Sequence, residues 1–303
     1  MEQYQIRHFI TWYVPDLTKT AYLPCAILSQ MIYCTEAPVT ESLRFPNNNY
    51  ILSVKAPEIA DRVLPGQFVM ASEGESNSLP YNLLKRALAV YSLEHDKKKQ
   101  STIALLLKVV GVGTQRLSTL QPGETISLIG PLGRGFDLSR ARGKVSLLVA
   151  GGVGIASLYL LAERLKKEGQ DVHLIYGAKS AGDLVGLEDF KRLNLPVSIT
   201  TEDGDLGVKG FVTDGLRTYL ERFPPGQMVI YTCGPNPMMQ AVSAVADKLN
   251  IPCQISIEAK MACGFGVCLG CSIKTKHSYK LACREGPVFE SSEFVWEEES
   301  LNS

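Results

Sequence analysis

The hydrophobic pattern divides most of the chain into two regions with different periods. In the first, short apolar–polar alternations are separated by glycine and proline, for example at Pro65 and Gly66. Short alternating strands punctuated by such turns are typical of antiparallel sheets. Strands are predicted at 50–55, 67–70, 102–109 and 124–129. Residues 29–142 are therefore predicted to form an antiparallel β-barrel.

From residue 143 the pattern changes to apolar strands that alternate with amphipathic helices. Residues 145–150 are apolar apart from Ser146, as expected of a strand covered on both faces. The helix that follows carries Leu158, Leu161 and Leu165 on one face. Further strands are predicted at 171–177, 197–201, 227–233 and 253–257, and a helix at 237–249. This alternation predicts an α/β domain with a doubly wound parallel sheet over 143–258.

The two ends of the chain stand outside this scheme. Residues 1–28 are predicted to be an N-terminal extension, because they show no clear pattern. Residues 259–303 form a small C-terminal module that holds four of the eight cysteines. The protein is therefore predicted to be multidomain.

Composition and charge exclude several classes of protein. The 303 residues are 45% hydrophobic, and 31 Lys and Arg balance 31 Asp and Glu. A net charge of zero argues against a uniformly basic surface for nucleic acid. No apolar run reaches the roughly eighteen residues that a membrane helix needs, and the N-terminus lacks the pattern of a signal peptide. We expect a cytoplasmic protein that binds neither nucleic acid nor membrane.

The cysteines of the C-terminal module have the spacing C-x4-C-x2-C-x11-C. They are Cys263, Cys268, Cys271 and Cys283. In a cytoplasmic protein, such a group indicates metal binding rather than disulfides. Three close ligands and one distant ligand are typical of a plant-type [2Fe–2S] cluster, and the glycines between them allow backbone N–H groups to reach the sulfurs. A structural zinc ion held by the same four thiolates is the alternative.

A glycine-rich turn follows the first strand of the α/β region. It contains Gly151, Gly152 and Gly154 and precedes the predicted helix. Free N–H groups and the helix dipole at such a position suit a pyrophosphate. A tight turn without a ligand is the alternative interpretation.

A second turn follows the strand at 227–233 and contains Cys233, Gly234 and Pro235. Because ligands gather at the carboxyl ends of parallel strands, the two turns are predicted to share one crevice. Cys233 would then lie beside a nicotinamide ring, or it would simply be packed in the core.

Five motifs in fixed order point to a known family. They are G-G-V-G-I-A-S-L-Y, E-D-G-D-L-G-V-K-G, Y-T-C-G-P-N-P-M, M-A-C-G-F-G-V-C-L-G-C and C-R-E-G-P-V-F. Together they resemble the electron transfer subunits of NAD-dependent (type B) dihydroorotate dehydrogenase, within the ferredoxin-reductase superfamily. The resemblance runs from about residue 29 to 290, and the cysteine loop with the downstream C-x-x-G-P-V-F is its most specific part.

The resemblance implies an FAD-binding barrel, an NAD(H)-binding domain and a [2Fe–2S] module. By position, Gly111, Gly113 and Thr114 match the loop that holds the FAD diphosphate in this family. Lys108 stands where the family usually has arginine.

The flavin motif departs from the family pattern. The family usually has R-P-[LI]-S, and this chain has Arg86, Ala87, Leu88 and Ala89. Arg86 can hold a phosphate by a bidentate pair. Ala89 lacks the hydroxyl expected near the flavin ring, so backbone contacts would have to replace it.

An electron-transfer function follows from the resemblance. Electrons would pass between a partner's FMN and NAD through the [2Fe–2S] cluster and FAD, in the oxidation of dihydroorotate to orotate for pyrimidine biosynthesis. The partner would be the FMN-containing catalytic subunit, in a heterotetramer, and this chain would not act on dihydroorotate alone. No side chain is expected to be a catalytic acid or base. The family favours NAD, although Lys179 and Ser180 could meet a 2′-phosphate.

Two other functions stay open at this point. One is an NAD(P)H reductase of the same build that serves another partner, such as a sulfite reductase, hydrogenase or oxygenase component. The other, from a different class, is a zinc-stapled binding protein without a redox function.

Overall fold

Six antiparallel strands close into a barrel in the N-terminal half of the computed structural model, which describes residues 31–74, 84–95 and 100–296. The predicted extension 1–28 lies outside these residues. The strands are β1 (Tyr33–Phe45), β2 (Asn49–Lys55), β3 (Phe68–Glu73), β4 (Arg86–Glu94), β5 (Thr102–Lys108) and β6 (Thr125–Leu132). Their order around the barrel is β1-β2-β5-β4-β3-β6. The barrel confirms the fold class predicted for this region.

Alternation explains how the barrel buries its interior. Leu52 and Val54 of β2, with Ile103 and Leu105 of β5, are fully buried, and polar or half-buried residues lie between them. Two short helices, α1 (Pro57–Ala60) and α2 (Val112–Thr119), connect the strands.

The second half contains a sheet with helices on both faces. Its parallel strands are β7 (Val145–Gly151), β8 (Asp171–Ala178), β9 (Val197–Thr201), β10 (Val208–Lys209), β11 (Met228–Cys233) and β12 (Cys253–Ser256). The helices are α3 (Tyr159–Lys167), α4 (Leu187–Arg192), α5 (Val212–Arg222) and α6 (Asn236–Leu249). The doubly wound α/β fold is thus confirmed.

Strand β7 runs through the middle of this sheet and is buried along its whole length. Leu148 packs on the side of α3 and α4, and Leu147 packs on the side of α5 and α6. A strand between two helical layers has no polar face, which is why its sequence is a continuous apolar run.

The cysteine segment joins the sheet instead of standing apart. It forms a hairpin, β13 (Ser272–Lys274) with β14 (Tyr279–Leu281), and then β15 (Val288–Glu290). Strand β15 pairs antiparallel with β12, so the sheet order is β10-β9-β8-β7-β11-β12-β15. The boundary predicted between residues 258 and 259 assigns β15 to the C-terminal module and not to this sheet. The sequence did not reveal the pairing, because a strand of three residues is too short to show an alternation.

The turn after β7 also differs from the expected form. A 3₁₀ helix, Gly152–Ser157, precedes α3, whereas the sequence suggested that the glycine turn opens the α-helix directly. Within the described part of the chain, no helix is long and apolar enough to cross a membrane.

Candidate functional site

The two glycine turns lie side by side at the carboxyl edge of the parallel sheet. Strands β7 and β11 are neighbours in register, so the turns that follow them meet. Gly151, Gly152, Gly154, Gly234 and Pro235 all line one cleft of about 630 Å³. The structure therefore brings these five predicted residues together.

Glycine is required where the two turns touch. A Cβ atom on Gly154 would lie 2.4 Å from the carbonyl oxygen of Cys233, and one on Gly234 would lie 3.0 Å from the Cα of Gly151. Gly152 differs, because its φ is +51° and nothing lies within 4 Å of where its Cβ would be. The contacts hold the turns in place, and the open side of Gly152 leaves backbone free for a phosphate.

Cys233 lies behind the cleft. Its side chain is 1% exposed, and its Sγ is 3.5 Å from the Oγ of Ser157. Burial raises the pKa of its thiol to about 12. The side chain is thus a protonated core residue, and only the chain next to it, at Gly234, faces the cleft.

The cleft also holds three carboxylates that were not among the predicted site residues. Asp183, Glu202 and Glu258 line it together with Lys179. Glu202 begins the E-D-G-D-L-G-V-K-G motif, Asp183 and Glu258 belong to none of the five motifs, and only the fold brings the three carboxylates to one edge. Glu202 follows β9 and could have been found from the rule that ligands gather at strand ends.

Lys108 is placed at the junction of the barrel and the α/β half. Its Nζ donates to Oδ1 of Asp183 at 3.0 Å, and the lysine also lines the cleft. Burial alone would raise the pKa of Asp183, but the hydrogen bond and charge of Lys108 outweigh burial and lower it. The structure thus gives Lys108 a carboxylate partner, while the family pattern led us to expect an FAD phosphate.

The predicted flavin-phosphate residues converge at the start of helix α2. A Cβ on Gly113 would lie 2.3 Å from the guanidinium carbon of Arg86, so the arginine lies against the first turn of the helix. Thr114 Oγ1 accepts hydrogen bonds from the N–H of Val110 at 2.9 Å and of Gly111 at 3.2 Å. A cation beside a helix N-terminus suits a diphosphate.

Leu88 and Ala89 lie half-buried on β4, close to the cysteine module. Ala89 pairs with Phe68 of β3, and Phe68 pairs with Leu132 of β6. Ala89 and Leu132 therefore lie two strand spacings apart, a distance of roughly 10 Å. A Cβ on Gly264 of the cysteine loop would lie 3.2 Å from the side chain of Leu132. The flavin motif and the cysteine loop are therefore neighbours across the barrel.

The four cysteines form two close pairs. The N–H of Cys268 donates to Sγ of Cys263, and the N–H of Cys283 donates to Sγ of Cys271, both at 3.5 Å. In the ranges that the structure describes, no three metal-ligating side chains surround one point. A diiron cluster takes two thiolates on each iron, and these two pairs match that arrangement.

Backbone N–H groups prepare one of these thiols for ionisation. Burial alone would raise the pKa of Cys263, but N–H groups of Cys268, Phe265 and Val267 lower it to about 6. At Cys283, burial and the neighbouring Cys271 raise the pKa to about 12. The loop thus stabilises a thiolate, the form that binds iron, at Cys263 before any metal enters.

The comparisons with known proteins agree with this arrangement. Residues 258–295 match the iron–sulfur cluster binding domain of dihydroorotate dehydrogenase B, and residues 148–244 match an oxidoreductase NAD-binding domain. An NADH-dependent reduced ferredoxin-NADP oxidoreductase superposes with a TM-score of 0.74 at 28% identity, over 86% of this chain and 90% of that chain. A ferredoxin NADP⁺ reductase from Neisseria gonorrhoeae with bound FAD and NADP superposes with a TM-score of 0.58 at 19% identity, over 71% and 91%.

Fold and site therefore define an NAD-linked oxidoreductase component with a ferredoxin-reductase-like fold. The electron transfer subunit of dihydroorotate dehydrogenase B (NAD⁺) from Desulforamulus reducens is 37% identical over 254 residues, 82% of this chain and 94% of the relative. That from Caldanaerobacter subterraneus is 39% identical over 242 residues, 78% and 87%. The chain belongs to this family, which confirms the resemblance and its electron-transfer role. The same comparisons support the three expected cofactors, [2Fe–2S], NAD(H) and FAD.

Proposed function

We propose that this chain carries electrons between NAD and the FMN of a dihydroorotate dehydrogenase catalytic subunit, in the oxidation of dihydroorotate to orotate for pyrimidine biosynthesis. One observation carries the proposal: the cysteine loop packs directly on the barrel beside the flavin motif, where Gly264 meets Met70 of β3. Relatives that cover most of the chain are named as the electron transfer subunit of this enzyme.

The proposal assigns the predicted residues to three groups. The FAD residues are Arg86, Leu88, Ala89, Lys108, Gly111, Gly113 and Thr114; the NAD residues are Gly151, Gly152, Gly154, Cys233, Gly234 and Pro235; the cluster ligands are Cys263, Cys268, Cys271 and Cys283. When bound, NAD exchanges two electrons as a hydride and the cluster exchanges one at a time, so FAD links the two. The protein itself holds the groups in sequence and lowers the pKa of Cys263.

The cysteine loop also offers a surface for the partner. Phe265, Val267 and Leu269 are 44%, 73% and 62% exposed between the cluster cysteines. Leu269 has a φ of +60°, a conformation that a leucine rarely adopts, so the backbone is strained at this site. Exposed apolar side chains around a redox centre support direct contact with the FMN-containing subunit, in a heterotetramer with two copies of each chain.

The proposal places the protein in the cytoplasm. No disulfide joins the seven cysteines in the part of the chain that the structure describes. Thiols persist in the reducing conditions of that compartment, where an iron–sulfur loop also keeps its ligands available.

Production of the chain with and without the catalytic subunit tests the proposal. The purified chain should show flavin and iron–sulfur absorption, contain acid-labile sulfide, and reduce an artificial dye with NADH but not with dihydroorotate. The complex should reduce NAD⁺ with dihydroorotate, and the catalytic subunit alone should not. A colourless chain with one equivalent of zinc would contradict the redox function. A coloured chain that fails to bind the catalytic subunit would contradict the choice of partner.

A further inference from the structure

Lys108 and Asp183 form an ion pair across the junction of the barrel and the α/β half. Nζ of Lys108 lies 3.0 Å from Oδ1 of Asp183, and the two side chains are 39% and 14% exposed. Both residues also line the cleft. Because solvent screens a partly buried pair less than a surface pair, this contact holds its two atoms together more firmly. We call Lys108 and Asp183 the junction pair.

The barrel holds its side of the junction pair in place. Lys108 is the last residue of β5, and the N–H of the next residue, Val109, donates to the carbonyl oxygen of Asn48 at 2.9 Å. Asn48 lies in the turn between β1 and β2. In the same turn, the side chain of Asn47 donates a second hydrogen bond to the Asp183 carboxylate. The barrel therefore presents two donors, from connected segments, to one carboxylate.

The α/β half holds Asp183 beside the glycine turn. Asp183 ends the 3₁₀ helix Ala181–Asp183, and Oγ of Ser180 donates to its Oδ2 at 3.2 Å. The hydroxyl of Tyr176, a fully buried residue of β8, lies 3.0 Å from the carbonyl oxygen of Gly152 and 3.4 Å from that of Asp183. One buried hydroxyl thus contacts both the glycine turn and the backbone of Asp183.

The junction pair lies on the path between the two predicted phosphate sites. The loop for the FAD diphosphate begins at Gly111, three residues after Lys108, and the turn for the NAD pyrophosphate is joined to Asp183 through Tyr176. The two halves also share an apolar core, but apolar contacts are non-directional and tolerate small shifts. A charge-assisted hydrogen bond instead fixes the positions of the atoms that it joins.

We propose that the junction pair fixes the position of the NAD cleft relative to the FAD loop, and that Asp183 is thereby a positioning residue for hydride transfer. This inference rests on the proposed function, because it takes the two sites as those of NAD and FAD. Hydride transfer requires the reacting atoms to lie about 3–3.5 Å apart, so it is sensitive to small shifts between the halves. The ammonium of Lys108 has three donors, and one pairs with Asp183 while the others stay available to the flavin diphosphate.

Asp183→Asn tests this role, because it removes the charge of the pair and keeps the shape of the side chain. The holoprotein is mixed with saturating NADH without oxygen, and the limiting rate of flavin reduction is measured per bound flavin. We expect this rate to fall at least about tenfold, since a misplacement of about 1 Å costs roughly a hundredfold. The Kd for NAD⁺, measured with the oxidised holoprotein, should rise by less than about threefold, because the variant removes an anion from a cleft suited to a pyrophosphate.

Tyr91→Phe is the matched control. Oη of Tyr91 donates to Oδ2 of Asp189 at 2.7 Å, so this hydrogen bond also joins the barrel to the α/β half. Neither residue lines the cleft. Loss of the bond should lower the temperature of thermal unfolding by a few degrees. The limiting rate of flavin reduction should stay within about threefold of wild type, because the junction pair is intact.

A double variant tests whether the two members of the junction pair act together. Lys108→Met should also slow flavin reduction, and Lys108→Met/Asp183→Asn should be no more than about threefold slower than Lys108→Met alone. Should Asp183→Asn fail to fold, Asn47→Gly removes the other barrel donor, and glycine adopts the φ of +55° at this position without strain. Its limiting rate should fall at least about threefold, with the Kd for NAD⁺ unchanged.

The outcomes separate the inference from the function beneath it. The role of the junction pair would be overturned by a smaller fall in rate than stated for Asp183→Asn or Asn47→Gly, or by a Kd for NAD⁺ that rises more than about threefold. An equal fall in Tyr91→Phe, or a double variant slower than stated, would overturn it too. All of these leave the NAD and FAD sites of the wild type intact. Wild-type holoprotein whose flavin is not reduced by NADH would instead overturn the proposed function.

Discussion

Backbone atoms shape the nucleotide cleft, whereas side-chain thiols supply the chemistry of the cysteine loop. In the cleft, Gly154 and Gly234 bring two strand ends into direct contact, so backbone packing sets the turn geometry. In the loop, the thiols stand in two pairs, one of them Cys271 with Cys283. Backbone packing therefore sets the shape of the nucleotide site, while at a metal site of thiolates metal binding is coupled to ionisation of the side chains.

Removal of one thiol should separate the two sites most clearly. Cys283→Ala removes a buried member of one pair, and we expect loss of acid-labile sulfide and a fall of more than about a hundredfold in electron transfer to the catalytic subunit. Binding of NAD⁺ should be unchanged, because Cys283 does not line the cleft. Iron and sulfide analysis with NAD⁺ titration measures both.

The control for that change is Cys34→Ala. Cys34 is an exposed cysteine on barrel strand β1, and its loss should affect neither the cluster nor the cleft. Loss of NAD⁺ binding in Cys283→Ala would show that the two sites are not built independently.

The reverse experiment alters the cleft and spares the loop. Gly154→Ala places a methyl group 2.4 Å from the backbone oxygen of Cys233. This oxygen cannot move away unless the two turns separate. We expect a loss of about 1–3 kcal/mol in the free energy of unfolding, as for overpacking, and at least tenfold weaker NAD⁺ binding. Thermal unfolding, dinucleotide titration and sulfide content together measure the effect.

Gly226→Ala serves as its control, since nothing lies within 4 Å of the added methyl group and its φ is not positive. It should leave both binding and unfolding near wild type. Unchanged NAD⁺ affinity in Gly154→Ala would mean that contact between the turns does not shape the cleft.

The same contrast explains which features could be predicted from the sequence. The cysteine spacing and the glycine turns are local patterns, so each set could be placed before the fold was known. The ion pair of Lys108 with Asp183 joins residues far apart in the chain, and neither belongs to a motif that signals the other. Glu258 is similar, because only the order of strands shows that it enters the cleft. Short sequence motifs predict local chemistry, whereas contacts between distant segments can be identified only in the structure.

The smallest expected effect concerns how much the barrel, in addition to the metal, stabilises the conformation of the cysteine loop. Gly264 has a φ of +83°, and a Cβ there would lie 2.3 Å from Cγ of Met70. Gly264→Ala should therefore strain the loop by about 1–2 kcal/mol. We expect a chelator to remove the cluster several-fold faster than in wild type. The decay of the visible absorption of the cluster measures this rate.

Gly270→Ala is the matched change within the same loop. Its φ is not positive, and the nearest atom to the added methyl group, Sγ of Cys268, lies 3.6 Å away, which is an ordinary contact. Its cluster should be lost at nearly the wild-type rate. Equal rates in the two variants would show that the four thiolates alone hold the loop, and a faster rate only in Gly264→Ala would show that the barrel shares in building the metal site.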